Sequence, residues 1–176
     1  LALAACSTAD TGTPLDTGDT GDTAPVEDTR PIWTAYRIET SSALNGIYAS
    51  GKGVYVVGED GFACEGGADG WEFMDIEVGD EDLTDLWGQG QNDETILAAS
   101  TSAGHVAQFT GTGGWTTGDL ADTNIIWGVG GSGASDLYAV GWGRAYVYDG
   151  AAWAYETLPD QSVKLNDVYA AGGEAF

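Results

Sequence analysis

Along residues 32–176 the apolar positions come in short runs broken by glycine, aspartate and serine, and no window carries an apolar stripe at the helical period long enough to make a buried helix. The pattern is plainest from 124 to 155. Residues 124–129 predict a strand, Gly130-Gly131-Ser132-Gly133 a turn, and 137–141 and 144–148 two further strands. Asp149-Gly150 predicts a tight turn before a last strand at 153–155. Leu137, Tyr138, Ala139 and Val140 place apolar groups on both faces of one strand, which predicts a sheet covered on both sides. The same scheme recurs earlier, as 53–58 with 61–64, and as 95–99 with 105–109.

These strand groups form a repeat. Segments beginning at Leu44, Leu83, Asn124 and Leu165 each close on an aromatic, Tyr48, Trp87, Trp127 and Tyr169, with separations of 39, 40 and 42 residues. A second series, Trp71, Trp115 and Trp153, is spaced by 44 and 38. A unit of this length cannot bury both faces of its own sheet, so the period predicts blades stacked around an axis. Trp33 leads Tyr48 by 15 residues, as Trp71 leads Trp87 by 16, so residues 32–39 are expected to fill the slot of a blade's last strand and to close a ring against C-terminal strands. The expected fold is all-β, a β-propeller fragment of four-stranded antiparallel blades. Residues 32–176 would supply three full blades and the start of a fourth, with an N-terminal outer strand, and a longer parent is expected.

The string Trp127-Gly128-Val129-Gly130-Gly131-Ser132-Gly133-Ala134-Ser135-Asp136-Leu137-Tyr138-Ala139-Val140-Gly141, with residues 148–153 behind it, resembles the repeat of bacterial β-propeller lipoproteins common in delta-proteobacteria. These are distantly similar to Asp-box and photosystem-assembly-factor propellers. Asp149 and Gly150 are adjacent and Ala152 stands where the sialidase-type Asp-box has a hydroxyl residue, which is a departure from that pattern.

The N-terminus adds a location. Leu3-Ala4-Ala5-Cys6 resembles the bacterial lipobox, in which small residues fit the signal peptidase and the cysteine thiol takes a diacylglyceryl group. The resemblance implies that residues 1–5 are the end of a signal peptide and Cys6 the lipid attachment site, anchoring the protein to a membrane of the cell envelope, at the outer membrane or cell surface. Two or three acyl chains anchor stably where one does not. Residues 6–31, rich in Thr, Asp and Gly, are expected to be a disordered linker, since such a tract buries too little to offset its ordering entropy. Its Asp-Thr-Gly repeats lack the ligand ladder of a calcium loop.

Charge changes the range of partners. With 5 Lys+Arg against 28 Asp+Glu, a formal net charge of -23, the chain is a poor match for nucleic acid, whose binding begins with cationic neutralisation of phosphates. Thirteen acidic residues lie from Glu59 to Glu94 with no Lys or Arg among them, and Glu59-Asp60 and Asp80-Glu81-Asp82 fall at predicted turns, where acids are solvated. No catalytic residue, metal ligand or cofactor site stands out. His105 is the sole histidine, at a strand start, and reads as a rim residue; zinc would need three or four close ligands. Cys64 lies in an apolar stretch and reads as a core residue. Trp87 and Trp127 recur at matching positions and read as structural, whereas Trp142, in the turn Gly141-Trp142-Gly143, has no aromatic counterpart in the other periods and is the candidate ligand contact. The function expected is a lipid-anchored, non-enzymatic binding or scaffold module for a protein or glycan. The alternative is a secreted glycan-active enzyme whose catalytic groups lie partly in other blades.

Overall fold

The computed structural model describes residues 2–7, 32–91, 94–111, 114–120 and 124–176. Two compact units are formed, residues 1–40 and 41–176. In the first, β1 (Ala2–Ser7) pairs antiparallel with β2 (Ile32–Arg37), with Cys6 opposite Trp33 in the register. Residues 32–37 are therefore extended, and their partner within this unit is residues 2–7. The expected linker beyond Ser7 lies outside the described residues.

The second unit is built only of strands among its described residues. Its first sheet runs in the order β3 (Leu44–Ala49), β4 (Val54–Gly58), β5 (Ala63–Gly67) and β6 (Gly70–Phe73). The second holds β7 (Leu83–Gln91), β8 (Glu94–Thr101), β9 (His105–Phe109) and β10 (Trp115–Asp119). The third holds β11 (Ile126–Gly133), β12 (Asp136–Gly141), β13 (Arg144–Tyr148) and β14 (Trp153–Glu156). All pairings are antiparallel and sequential, the up-and-down order of a propeller blade. A fourth unit begins with the hairpin β15 (Ala170–Ala171) and β16 (Glu174–Ala175).

The core lies between blades. One cluster joins Tyr55, Val57 and Ala63 of the first blade to Leu83, Leu86, Leu97, Ala99 and Ala107 of the second. The next joins Ala98 and Val106 of the second blade to Ile126, Val129, Leu137, Ala139 and Tyr146 of the third. Alternating residues of β8 thus enter opposite clusters, which is why its run 95–99 is apolar or small throughout rather than alternating. The series Trp71, Trp115 and Trp153 lands as expected on the outer strands, opposite Gly66, Phe109 and Tyr148 of the third strands. Trp115 and Trp153 pack on the rings opposite them, with centroids 5.6 Å and 5.3 Å apart.

The inner-strand register corrects one expectation. Leu44, Leu83 and Ile126 open the three inner strands opposite Gly58, Thr101 and Gly141, and a β-bulge follows each. Asn45, Thr84 and Trp127 occupy the bulge, so Gly46, Asp85 and Gly128 correspond, and after them Tyr48, Trp87 and Gly130. Trp127 is therefore not the counterpart of Tyr48 and Trp87; Gly130 is. The expected turn at 130–133 is also strand, the end of β11. Its glycines serve close approach instead of turning: a Cβ on Gly130 would lie 2.4 Å from the Val168 carbonyl oxygen, and one on Gly131 would lie 2.5 Å from the Leu137 side chain.

Adjacent inner strands are tied by the bulge. Asn45 Nδ2 donates to the Leu83 carbonyl at 2.8 Å, and Thr84 Oγ1 donates to the Ile126 carbonyl at 2.5 Å. One residue on, Asp85 accepts from Leu86 N at 2.8 Å with Oδ1, and from Val129 N of the next blade at 2.9 Å with Oδ2. The following aromatics reach over small residues of the next blade. A Cβ on Gly88 would lie 2.3 Å from Tyr48 Cδ1, and one on Gly131 would lie 3.3 Å from Trp87. Burial raises the Asp85 carboxyl above its ordinary value, against the lowering effect of the Val129 and Leu86 N–H groups.

Two outcomes follow from this junction. Gly88→Ala should cost about 1–3 kcal/mol in urea unfolding because its methyl overlaps the Tyr48 ring, whereas Gly90→Ala, whose Cβ would meet nothing closer than 3.7 Å, should show no such overpacking cost. For Asp85, the native state holds its proton more tightly than the unfolded chain. Its contribution to stability is thus fully present below the unfolded pKa and is lost as pH rises through the raised native value. Wild type should lose stability over that window relative to Asp85→Asn, and Asp85→Ala, which orphans two N–H groups, should cost about 1–3 kcal/mol.

Candidate functional site

The loops where inner strands begin are cross-braced. The turn after β4 meets the segment entering the second blade: Gly61 N donates to the Glu81 carbonyl at 2.9 Å, and Asp60 N to Asp82 Oδ1 at 3.1 Å. The two acidic turns that the sequence separates by about 20 residues thus lie side by side. His105 Nδ1 sits 3.0 Å from both carboxylate oxygens of Glu81, so the sole histidine braces β9 to the same segment. Among the described residues, no group of three or more His, Cys, Asp or Glu side chains gathers as a metal site.

The third blade differs at the corresponding loop. Gly141-Trp142-Gly143 turns between β12 and β13, and the segment entering the fourth unit runs against it. Gly143 N donates to the Val163 carbonyl at 2.7 Å, Leu165 N donates to the Gly141 carbonyl at 3.1 Å, and Trp142 and Lys164 form an antiparallel bridge between them. Gly143 is required here, with a φ of 63° and a hypothetical Cβ 2.1 Å from the Gln161 carbonyl oxygen. The Trp142 backbone is held from both sides while its side chain stays 60% exposed. Lys164 then turns its ammonium over the Trp127 ring, 3.6 Å from the centroid. The bulge position that carries a hydrogen-bonding side chain in the first two blades carries an aromatic here, and a cation covers it.

Around this turn exposed apolar side chains and two cations lie alongside the acids Glu156 and Asp160. Val163 is exposed beside Lys164, and the Arg144 guanidinium lies 5.5 Å from the centroid of Tyr155, itself exposed and edge-on to Tyr146. Asp160 starts the entering segment, accepting from the Ser162 hydroxyl at 2.6 Å and its N–H at 2.8 Å, which together hold its carboxyl below the usual aspartate value. Cys64 is buried and free, and burial pushes its thiol up to about 11, so it is a core thiol rather than a nucleophile. The side chain of Cys6, the expected lipid site, lies outside the described residues. Of the sequence candidates, Trp142 alone sits exposed on a braced turn. Lys164 and Trp127 beside it were not singled out as binding residues. Their signal in the sequence was a lysine just before the fourth repeat and an aromatic in the bulge slot, and it is readable only once the register is known.

No protein-family model matches the chain, and no curated protein matches it in sequence. Among solved structures, YCF48 bound to D1 peptide is similar with a TM-score of 0.55 and 14% identity, over 80% of this chain and 47% of that one. PorZ, an essential bacterial surface component of the type-IX secretion system of Porphyromonas gingivalis, aligns with a TM-score of 0.38 and 12% identity, over 77% of this chain and 25% of that one. The chain spans about half the length of YCF48 and a quarter of PorZ. At this identity the likeness to YCF48 speaks for the fold, and with the sheet order above it assigns the three four-stranded antiparallel sheets to the β-propeller class.

Proposed function

We propose that this protein is a binding module, without catalysis of its own, that holds a polypeptide partner at the rim of its third blade through Trp142, and that Cys6 carries a lipid tethering it to the bacterial cell envelope. The observation that carries the binding reading is the Trp142 turn, where a large aromatic is 60% exposed on a backbone pinned by the two hydrogen bonds that make its bridge to Lys164. A rigid exposed tryptophan loses little conformational entropy on binding, and tryptophan is among the residues that most often dominate an interface. Arg144 and Lys164, two of the five Lys+Arg in an acidic chain, lie near this turn, which suits a segment carrying both an apolar side chain and a carboxylate. The propeller neighbour described with a bound peptide supports a polypeptide ligand over a glycan. The lipobox-like Leu3-Ala4-Ala5-Cys6 supports the tether.

Two experiments test this. The 176-residue chain and its Trp142→Ala variant are passed over an immobilised random-peptide library and a glycan array. Wild type should retain peptides, and Trp142→Ala should weaken the best of them about tenfold or more with no change in thermal unfolding. Retention of glycans alone, or equal peptide binding by the variant, would reject the peptide reading. Separately, the complete reading frame expressed in a bacterium should incorporate labelled palmitate and partition into detergent, and Cys6→Ser should abolish both; an unlabelled wild type beside a processed control lipoprotein would reject the tether.

A further inference from the structure

The turn that presents Trp142 is held by the segment entering the fourth unit, and the first blade shows the same arrangement with one change. Gly61 N donates to the Glu81 carbonyl at 2.9 Å, and Gly143 N to the Val163 carbonyl at 2.7 Å. Each turn is thus tied to the residue two places before a leucine, Leu83 or Leu165, and Asp82 and Lys164, one place before it, are equivalent. Asp82 steadies the turn of the first blade with its own side chain, accepting from Asp60 N at 3.1 Å. Lys164 has no carboxylate to offer and reaches elsewhere. Its backbone bridges Trp142, while its ammonium lies 3.6 Å from the centroid of Trp127 on β11. Trp127 fills the bulge between the Ile126–Gly141 and Gly128–Val140 pairs, next to the end of β12 that runs into the turn.

Residues 159–164 are exposed throughout, so burial does little to keep this segment on the third blade. Two backbone hydrogen bonds and the contact of Lys164 with Trp127 do so instead. We propose that Lys164 is the positioning residue of the binding site: its ammonium on the Trp127 ring keeps the entering segment against the turn and Trp142 in the pose that takes the ligand. Given Trp142 as the ligand contact, on which this role rests, Lys164 acts on affinity through the share of time the turn spends in that pose. A competent pose held only part of the time weakens the apparent affinity by that fraction. An exposed cation–π contact shifts such an equilibrium about two- to fivefold. The charge carries the effect, so a guanidinium serves in place of the ammonium and an uncharged side chain of similar length does not.

Fluorine NMR of the 176-residue chain labelled with 5-fluorotryptophan tests this without any ligand. The Trp142 resonance is assigned by its loss in Trp142→Phe, and its relaxation dispersion gives the ratio of alternative to binding pose. That ratio should rise about two- to fivefold in Lys164→Met and in Trp127→Leu, rise no further when the two are combined, and stay at the wild-type value in Lys164→Arg. Should Trp127→Leu fail to fold, Trp127→Phe keeps a ring with a weaker hold on cations and should fall between wild type and Lys164→Met. Affinity is then measured for the library peptide best retained by wild type, and for its analogue with an amidated C-terminus and with Asn and Gln in place of Asp and Glu. The analogue removes any pull of the Lys164 charge on a carboxylate. Lys164→Met should still bind it more weakly, by up to about fivefold, and Lys164→Arg should bind it as wild type does. A ratio unchanged by Lys164→Met, additive effects of the two substitutions, or an analogue bound equally by Lys164→Met and wild type would each overturn the positioning role. If wild type retains no peptide, the Trp142 reading fails, while the fluorine ratio still decides whether Lys164 holds the turn.

Discussion

The polar side chains in the first two inner-strand bulges, Asn45 and Thr84, each reaching across to the carbonyl that opens the next inner strand, are the contacts on which the stacking of the first three blades depends. A four-stranded sheet of this composition is apolar on both faces and has no interior of its own; its stability resides in what lies against it. Asn45 and Thr84 set the register of neighbouring blades, and that register decides which side chain meets which glycine. Asp85 adds a second tie at the cost of a partly desolvated carboxylate, which the two N–H groups it accepts partly offset. The junctions also alternate. Gly46 and Gly128 let backbones approach so closely that a Cβ would lie 2.6 Å from the next strand, while Asp85 spans a wider gap with its side chain.

The candidate site grows from one departure in this scheme. Trp127 fills the slot from which Asn45 and Thr84 donate to a carbonyl, and its ring receives the Lys164 ammonium. Lys164 is in turn the residue whose backbone bridges Trp142. An inner-strand position is thereby linked to a rim loop, and the blade whose bulge carries Trp127 is the one that presents an exposed tryptophan on a braced turn. The first blade has Glu59 and Asp60 at the corresponding turn, where the same kind of bracing presents carboxylates. Equivalent loops on equivalent scaffolds therefore differ in chemistry, as expected when a repeated frame is held constant and only its loops vary.

Charge is distributed to match. The acids crowd the turns between the first and second blades, where His105 meets Glu81, and two of the five Lys+Arg, Arg144 and Lys164, lie over aromatic rings of the third blade. This leaves the blade faces neutral enough to pack despite the large net charge. Like charges held at solvated loops repel through water and salt, where the repulsion is weak, and not across the dry cores between blades.

The sequence by itself determined the class of the fold and its strand groups, because both follow from local rules. Glycine, aspartate and serine break the chain at intervals, apolar runs populate both faces of a strand, and the outer series Trp71, Trp115 and Trp153 keeps its pairing in every blade. Trp142 was legible for a related reason, since a large aromatic between two glycines has no place in a strand. The inner register was not legible. A bulge adds a residue without breaking the apolar pattern, so Trp127 matched Tyr48 and Trp87 by spacing while Gly130 matched them in space. For the same reason a glycine run that reads as a turn proved to be strand, its missing side chains making room for Val168 and Leu137. The pairing of Lys164 with Trp127 and Trp142 was decided only by the tertiary structure, because it joins residues whose neighbourhood exists only after consecutive blades have packed.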